Sequence, residues 1–405
     1  MMKRWKKILL VLLGLLFLSQ LPFIYRRYRL GQLHALIVRL NSARQLDQTA
    51  QAYDDYRGVI HVHSMLGGHS TGSFTEIIQA ANANQLHFVL MTEHPSAEID
   101  TAEMTLNGFH HGILFVNGSE ISAANGDRLL LLPGDGKANS LGTATTEELI
   151  SRAKAEGRLA FIAYPQEFKT WDAQGYDGIE VYNLYTNSKR ASYPLLFFDG
   201  LWSYGSYPEL LFTRFYERPD ESLKLWDKLA ATKNRRLVAI AGNDAHSNVG
   251  FSLGDETGKK LFGIKLDPYE RSFRLVRTHA LIEKGAPLST QTLLKALASG
   301  HSYLSFDLFC ESSGFVYAAR NRSEQKIMGD EIGLEDGVLL TVRTPVPSRV
   351  RLFKDGAVVG EASLASSKEF PVAQKGIYRV EVYLDQLPDG LKDRPWIISN
   401  PIYVR

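Results

Sequence analysis

The chain opens on an uncharged, largely apolar run of 18 residues, Ile8 to Tyr25. Lys3, Arg4, Lys6 and Lys7 stand before it, and Arg26, Arg27 and Arg29 after it. At ~1.5 Å per helical residue the run reaches about 27 Å, close to the ~30 Å thickness of bilayer hydrocarbon. It is long for a secretory signal, no A-x-A-like site follows it, and Pro22 with the Arg cluster makes a poor cleavage region. Residues 1–29 are therefore expected to form an uncleaved, single-pass N-terminal membrane anchor. The first basic cluster and the amino terminus favour the inside, which exports the remainder of the chain. Apolar positions continue at helical spacing through Leu33, Ile37 and Leu40 and give way to the mostly polar stretch Asn41 to Asp55. Residues 30–56 thus read as a juxtamembrane helix and linker, the alternative being a helix packed on the body.

From Gly58 the pattern changes to short β-rich runs: Val59 to Val62, Phe88 to Thr92, Ile113 to Val116, Arg128 to Leu132, Leu159 to Ala163, Ile179 to Tyr182 and Leu237 to Ala241. Helical stretches such as Ser73 to Asn84, Thr146 to Glu156 and Glu221 to Thr232 fall between several of them. Strands alternating with helices predict βα units and a parallel sheet, and seven strands suggest a closed or nearly closed barrel over residues 57–310. Ser289 to Ser299 is its last predicted helix. Beyond about residue 310 the helical signal stops, and Val338 to Val342, Val350 to Phe353 and Tyr378 to Leu384 read as strands between turn residues. Residues 311–405 are expected to form a small all-β, sandwich-like domain.

Composition narrows the chemistry. A formal net charge of +2, part of it beside the apolar run, leaves the body near neutral. No field calls for nucleic acid, and no specific nucleic-acid partner is expected. The single cysteine, Cys310, excludes an internal disulfide and a thiolate zinc cluster. Any metal site has to use His and carboxylate.

Of the 11 histidines, five fall where strands are predicted to end or just beyond. His61 and His63 close the first strand two residues apart, so both imidazoles are expected on one side of an extended segment. His69 follows in the Gly-rich loop Gly67-Gly68-His69-Ser70-Thr71-Gly72, which can fold back over that pair. His94 ends the second strand, Glu120 follows the third, and Asp244 and His246 end the seventh. In a parallel barrel these ends converge on one rim, where five histidines and two carboxylates would form a metal site. His34, His87, His110, His111, His279 and His301 lack this placement and are expected to hydrogen-bond or to lie at the surface.

Four ordered motifs, His61-Val62-His63, Thr92-Glu93-His94, Gly118-Ser119-Glu120 and Asp244-Ala245-His246, resemble those of the polymerase and histidinol phosphatase (PHP) superfamily over roughly residues 57–305. The resemblance implies an α/β fold, a distorted TIM-like (β/α)7 barrel, and a cluster of Zn, Mn or Fe ions that cleaves phosphate esters. The tail, with Arg394-Pro395-Trp396-Ile397-Ile398-Ser399-Asn400-Pro401-Ile402, is similar to a branch that includes carbamate-hydrolysing enzymes.

Two positions depart from the pattern of the trinuclear members. Arg128 and Tyr164 stand where those members carry further imidazoles, so one or two divalent ions are expected instead of three. They divide as His61, His63, Glu120 and Asp244 around one, and His69, His94 and His246 around a second. The expected activity is that of a metal-dependent hydrolase acting on a small-molecule or ester substrate through metal-bound hydroxide. A phosphoesterase stands ahead of a carbamate or amide hydrolase, and the rival from another class is a non-catalytic envelope scaffold. Asp244 is suited to hold both an ion and the attacking water. Arg128 either binds an anionic substrate oxygen or pairs with an acid such as Asp127, and Tyr164 either bonds the same oxygen or fills space. Glu93, next to His94, is expected to orient an imidazole from behind and not to bind metal itself. Asn183 could reach the rim, with Glu180 as a structural acid. The aromatic stretch Tyr193 to Tyr216, with Trp202, Tyr204, Tyr207 and Phe212, reads as a substrate wall or as packing against the β domain or the bilayer.

Overall fold

The computed structural model describes residues 4–45, 52–135, 143–189, 192–233, 235–254, 260–334 and 337–405. Residues 46–51 of the expected polar linker lie outside the described residues. The expected anchor and juxtamembrane helix are one continuous helix, α1 (Arg4–Ser42), with Pro22 inside it. Its residues from Ile8 to Leu18 are exposed, whereas Leu30, Leu33 and Leu40 are buried. Among the described residues it is the helix long and apolar enough to cross a membrane.

The elements that carry the site follow in order. They are β1 (Tyr53–Val62), α2 (Phe74–Ala83), β2 (Phe88–Met91), β3 (Ile113–Val116), β4 (Ser119–Ser122), β5 (Arg128–Leu132), α3 (Thr146–Ala155), β6 (Leu159–Ala163), β7 (Gly178–Asn183), α4 (Leu184–Ser188), α5 (Tyr193–Ser203), α6 (Asp220–Lys233) and β8 (Val238–Ala245). Ser73 with Glu76 and Thr145 with Glu148 form capping boxes that start α2 and α3.

Strand β1 pairs in parallel with β2 and with β8, and β2 pairs in parallel with β3. After Asn117-Gly118 the chain continues into β4, where Ser119 bridges Glu93. Next come β5 and β6, each antiparallel to its predecessor, then β7 and β8 in parallel, so the pairings return to β1. The sheet is therefore mixed where an all-parallel one is predicted. The reason is local: β4 and β5 are joined by a short turn with Gly126 at φ 90°, and a connection that short pairs strands only antiparallel.

Alternation along the strands sorts the core. Ile60, Leu90, Val116, Leu130, Phe161 and Ile240 share one buried cluster. The alternate residues Val59, Val89 and Phe115 pack with Ile77, Ala80 and Ala81 of α2 in another.

The first half of β1 pairs antiparallel with β9 (Arg277–Glu283). Helix α7 (Thr290–Ser299) leads into β10 (Ser302–Ser305), which joins β9 to β11 (Ile397–Ser399). The C-terminal strands thus extend the main sheet. Asn400 fastens them further, accepting from the Ala239 N–H at 2.8 Å and donating to the Ser302 carbonyl at 2.8 Å.

The aromatic stretch packs on α1. Phe198 lies 5.2 Å from Phe23 between ring centroids, the Trp202 indole donates to Gln20, and Tyr207 stands 5.6 Å from His34.

Candidate metal centre

The seven expected ligands come from the strand ends and the loops that follow them. His61 sits at a β-bulge, where the register of β1 shifts between Ile60 and Val62 and the backbone turns to φ 68°. The simple two-residue alternation is broken there, yet the His61 and His63 rings still lie 5.0 Å apart. Asp244, at φ 48°, and Tyr164, at φ 48°, share this left-handed backbone.

The Gly-rich loop folds back as its composition predicts. Ser70 donates to the His246 carbonyl at 2.5 Å, Thr71 to the Ser247 carbonyl at 2.6 Å, and Asn248 to the His69 carbonyl at 2.9 Å.

Two carboxylate oxygens organise the centre. Glu120 Oε2 lies 3.1, 3.3 and 3.5 Å from Nε2 of His61, His63 and His94. Asp244 Oδ1 lies 3.6 and 3.5 Å from Nε2 of His61 and His63, and 3.4 Å from Nδ1 of His246. His61, His63, Glu120 and Asp244 form one group whose donor atoms lie within 4.8 Å of one another, and His63, His94 and His246 form a second. The first group has the composition expected for the first ion. In the second, His63 stands in the place expected for His69, whose exposed ring packs 4.8 Å from His94 and whose atoms join neither group.

Both ring nitrogens of His63 and Asp244 Oδ1 are buried without a hydrogen-bond partner. Buried polar atoms are costly to leave unpaired, so this donor set, borderline nitrogens and hard oxygens converging on shared points, fits a divalent cation.

The electrostatics agree. Burial disfavours charge at Glu120 and Asp244, but the His61 and His63 imidazoles beside them outweigh it and hold both carboxyls well below their usual range. Burial likewise opposes protonation of His61. Glu180, Asp244 and Glu120 overcome it and raise the imidazole well above its ordinary value. His94 and His246 are pushed down to about 4, chiefly by burial, so both are neutral donors at neutral pH.

Arg128 and Tyr164 both reach this centre. Arg128 Nη1 lies 3.3 Å from Glu120 Oε1, and its guanidinium sits 5.0 Å over the Tyr164 ring. The Tyr164 hydroxyl donates to Asp244 Oδ2 at 2.6 Å. Asp127 is bonded by Thr146, Thr170 and the Lys169 N–H, so the acid beside Arg128 is Glu120.

Two expectations change. Glu93 touches no imidazole; its carboxylate accepts from the Ser64 N–H and the Thr105 hydroxyl and pins the turn after β1. Glu180 is part of the centre, because its Oε1 lies 2.6 Å from His61 Nδ1. Asn183 completes the link by donating to Glu180 at 2.9 Å and to Asp244 at 3.2 Å. The signal for both was their place at the end of a predicted strand.

Away from the centre, His279 lies between Asp55 and Asp307 at 2.8 and 3.0 Å. Glu311 nearby pairs with Arg44 and Arg57. These groups already neutralise one another.

No family model matches the chain, and no curated protein matches it. Among solved structures, it is similar to PsfC from Pseudomonas syringae, at 15% identity and a TM-score of 0.39, over 62% of this chain and 92% of that one. It is also similar to the lesion-specific endonuclease Q from Pyrococcus furiosus, at 14% identity and a TM-score of 0.37, over 60% of this chain and 56% of that one. An endonuclease Q in complex with a 27-mer duplex bearing an abasic lesion aligns at 13% identity and a TM-score of 0.34, again over 60% and 56%.

Proposed function

We propose that the protein is a membrane-anchored, metal-dependent hydrolase of phosphate esters that belongs to the PHP superfamily. The observation that carries this reading is the pair of donor groups sharing His63, with His63 and Asp244 Oδ1 buried and unpartnered. In this reading the strand ring is a distorted (β/α)7 barrel, residues 57–310 are the hydrolase unit, and residues 311–405 are a β-sandwich-like unit. In the same reading α1 is the membrane anchor and both units lie outside the cytoplasm.

His61, His63, Glu120 and Asp244 would hold one divalent ion, and His63, His94 and His246, with His69 at the edge, a second; Zn, Mn and Fe all suit these donors. A bound ion of this kind lowers the pKa of its water to ~7 and polarises the ester oxygen it touches.

The chain's own groups do the rest. Glu180 accepts from His61 Nδ1–H and so fixes the tautomer that turns Nε2 toward Glu120 and Asp244. Tyr164 and Asn183 occupy Asp244 Oδ2, which leaves Oδ1 to orient an attacking water and accept its proton. Burial, then Asp244 and Glu120, drive the Tyr164 phenol far up, so it remains a donor throughout. Arg128, half-buried at the edge, offers a fixed positive charge to a phosphoryl oxygen.

The test pairs metal analysis of the purified chain with three substrates: p-nitrophenyl phosphate, a bis-phosphodiester and an aryl carbamate. Metal-dependent turnover of either phosphate ester supports the proposal. Turnover of the carbamate alone moves it to amide chemistry, and three tightly bound ions would refute the roles given to Arg128 and Tyr164.

A further inference from the structure

A second cavity lies at the base of the anchor, apart from the metal centre. It has a volume of about 460 Å³ and is lined by Arg26, Arg29, Leu30 and Leu33 of α1, by Arg214, and by the turn Pro388–Leu391 with Arg394. The four α1 positions fall at helical spacing on one face. Arg26 follows directly on Tyr25, the last residue of the apolar run, so the cavity begins within a turn of the hydrocarbon edge, at headgroup depth.

Its charge is unbalanced. Arg26 and Arg214 share one buried carboxylate, Asp199. Arg29 bonds the Tyr25 hydroxyl and Arg394 the Tyr216 carbonyl, both neutral acceptors. Asp389, the acid of the cavity lining, is engaged by Lys392 at 2.5 Å. Four arginines thus line a small cavity whose own acid is taken by Lys392, with Asp199 buried behind Arg26 and Arg214.

Beside it, α5 runs antiparallel to α1. Asp199 meets Arg26, Phe198 meets Phe23 and Trp202 meets Gln20, which takes α5 from the cavity to the depth of the apolar run. Phe197 and Leu201, four residues apart on one face of that helix, are exposed, at 62 and 64%, and Leu201 lies level with the apolar run. A cationic cavity flanked by an apolar face that runs from headgroup level into the depth of the apolar run matches a phospholipid: anionic head below, hydrocarbon alongside.

We infer that this cavity binds the phosphate headgroup of an anionic membrane lipid whose chains lie along α5. The inference rests on α1 being a membrane anchor. A free phosphate shares the headgroup chemistry but does not use the apolar face.

The experiment uses the full chain. An alkaline carbonate wash of membranes comes first, and release of the chain would overturn the anchor itself. If the chain stays, it is purified in neutral detergent, and retention of phosphatidylglycerol and of phosphatidylcholine is compared by native mass spectrometry. Phosphatidylglycerol should be retained, phosphatidylcholine should not, and Arg29→Gln should weaken retention about fivefold while Arg29→Lys keeps it. Equal retention of the two lipids, no effect of Arg29→Gln, or displacement of the lipid by inorganic phosphate alone would each overturn the inference and leave the anchor standing.

Discussion

His61, Tyr164 and Asp244 all adopt left-handed backbone, which side chains with a Cβ rarely take, and all three meet at the metal centre. Such conformations cost of order 1–3 kcal/mol each and persist where the surroundings fix them. Here Glu180 and Asn183 supply part of that fixing through His61 Nδ1 and Asp244 Oδ2. Glu180→Gln should therefore keep the fold but weaken metal affinity by about 10–100-fold, as read by titration calorimetry. Unchanged affinity would remove Glu180 from the ligand-orienting role. At Arg128 the distinction is between charge and packing. Arg128→Ala should lower kcat/KM on p-nitrophenyl phosphate by about tenfold more than on a neutral aryl carbamate or ester, since only the former presents an anionic oxygen. Equal losses on both would assign Arg128 to holding Glu120. The donor cluster was legible in the sequence because His and acid recur at predicted strand ends, although His69, expected with them, joins neither group. Glu180 was not distinguished there from a structural acid, because one carboxylate on a strand carries no sign of which imidazole it meets.

The elements themselves were legible where alternation and capping agree. Helix α7 starts at the residue after Ser289, and seven of the eight strands of the ring lie where apolar runs were read, β4 being the one that was not. What escaped was direction and continuity. No hydrophobic pattern distinguishes a reversed β5 from a parallel one, and α1 runs on through Pro22 where two segments were expected. Nor does pattern reveal that β1, β9 and β10 are tied by a charged cluster, in which His279 on β9 lies between Asp55 on β1 and Asp307 just after β10. Burial opposes charge on His279, but Asp55 and Asp307 raise it to about 10. Because the folded value lies above the unfolded ~6.5, this contribution to stability is complete below ~6.5 and is lost as pH rises through about 10. His279→Asn should thus cost about 3 kcal/mol near pH 6 by denaturant unfolding and progressively less toward pH 10. A cost that does not shrink with pH would mean that packing, not charge, holds the three strands.

For the whole molecule, metal and fold are linked through charge. Glu120, Glu180 and Asp244 are buried together, and positive charge from imidazoles or from ions has to balance them. Chelation should abolish hydrolysis and lower the melting temperature, with readdition of a divalent ion restoring both, and metal uptake should release protons, measurable as a buffer-dependent heat. Uptake without proton release would contradict the raised value of His61. The anchor proposed for α1 bears on the protein at the same scale. Since α1 passes from its apolar run into buried contacts at Leu30, Leu33 and Leu40 without a break in the helix, the body has no slack tether. With α1 in a membrane, as proposed, a body fixed in this way would spin about the membrane normal and drift sideways without tumbling. The mouth of its metal centre then sweeps a layer of constant height, and what it meets is set by concentration per unit of membrane area instead of per unit of volume.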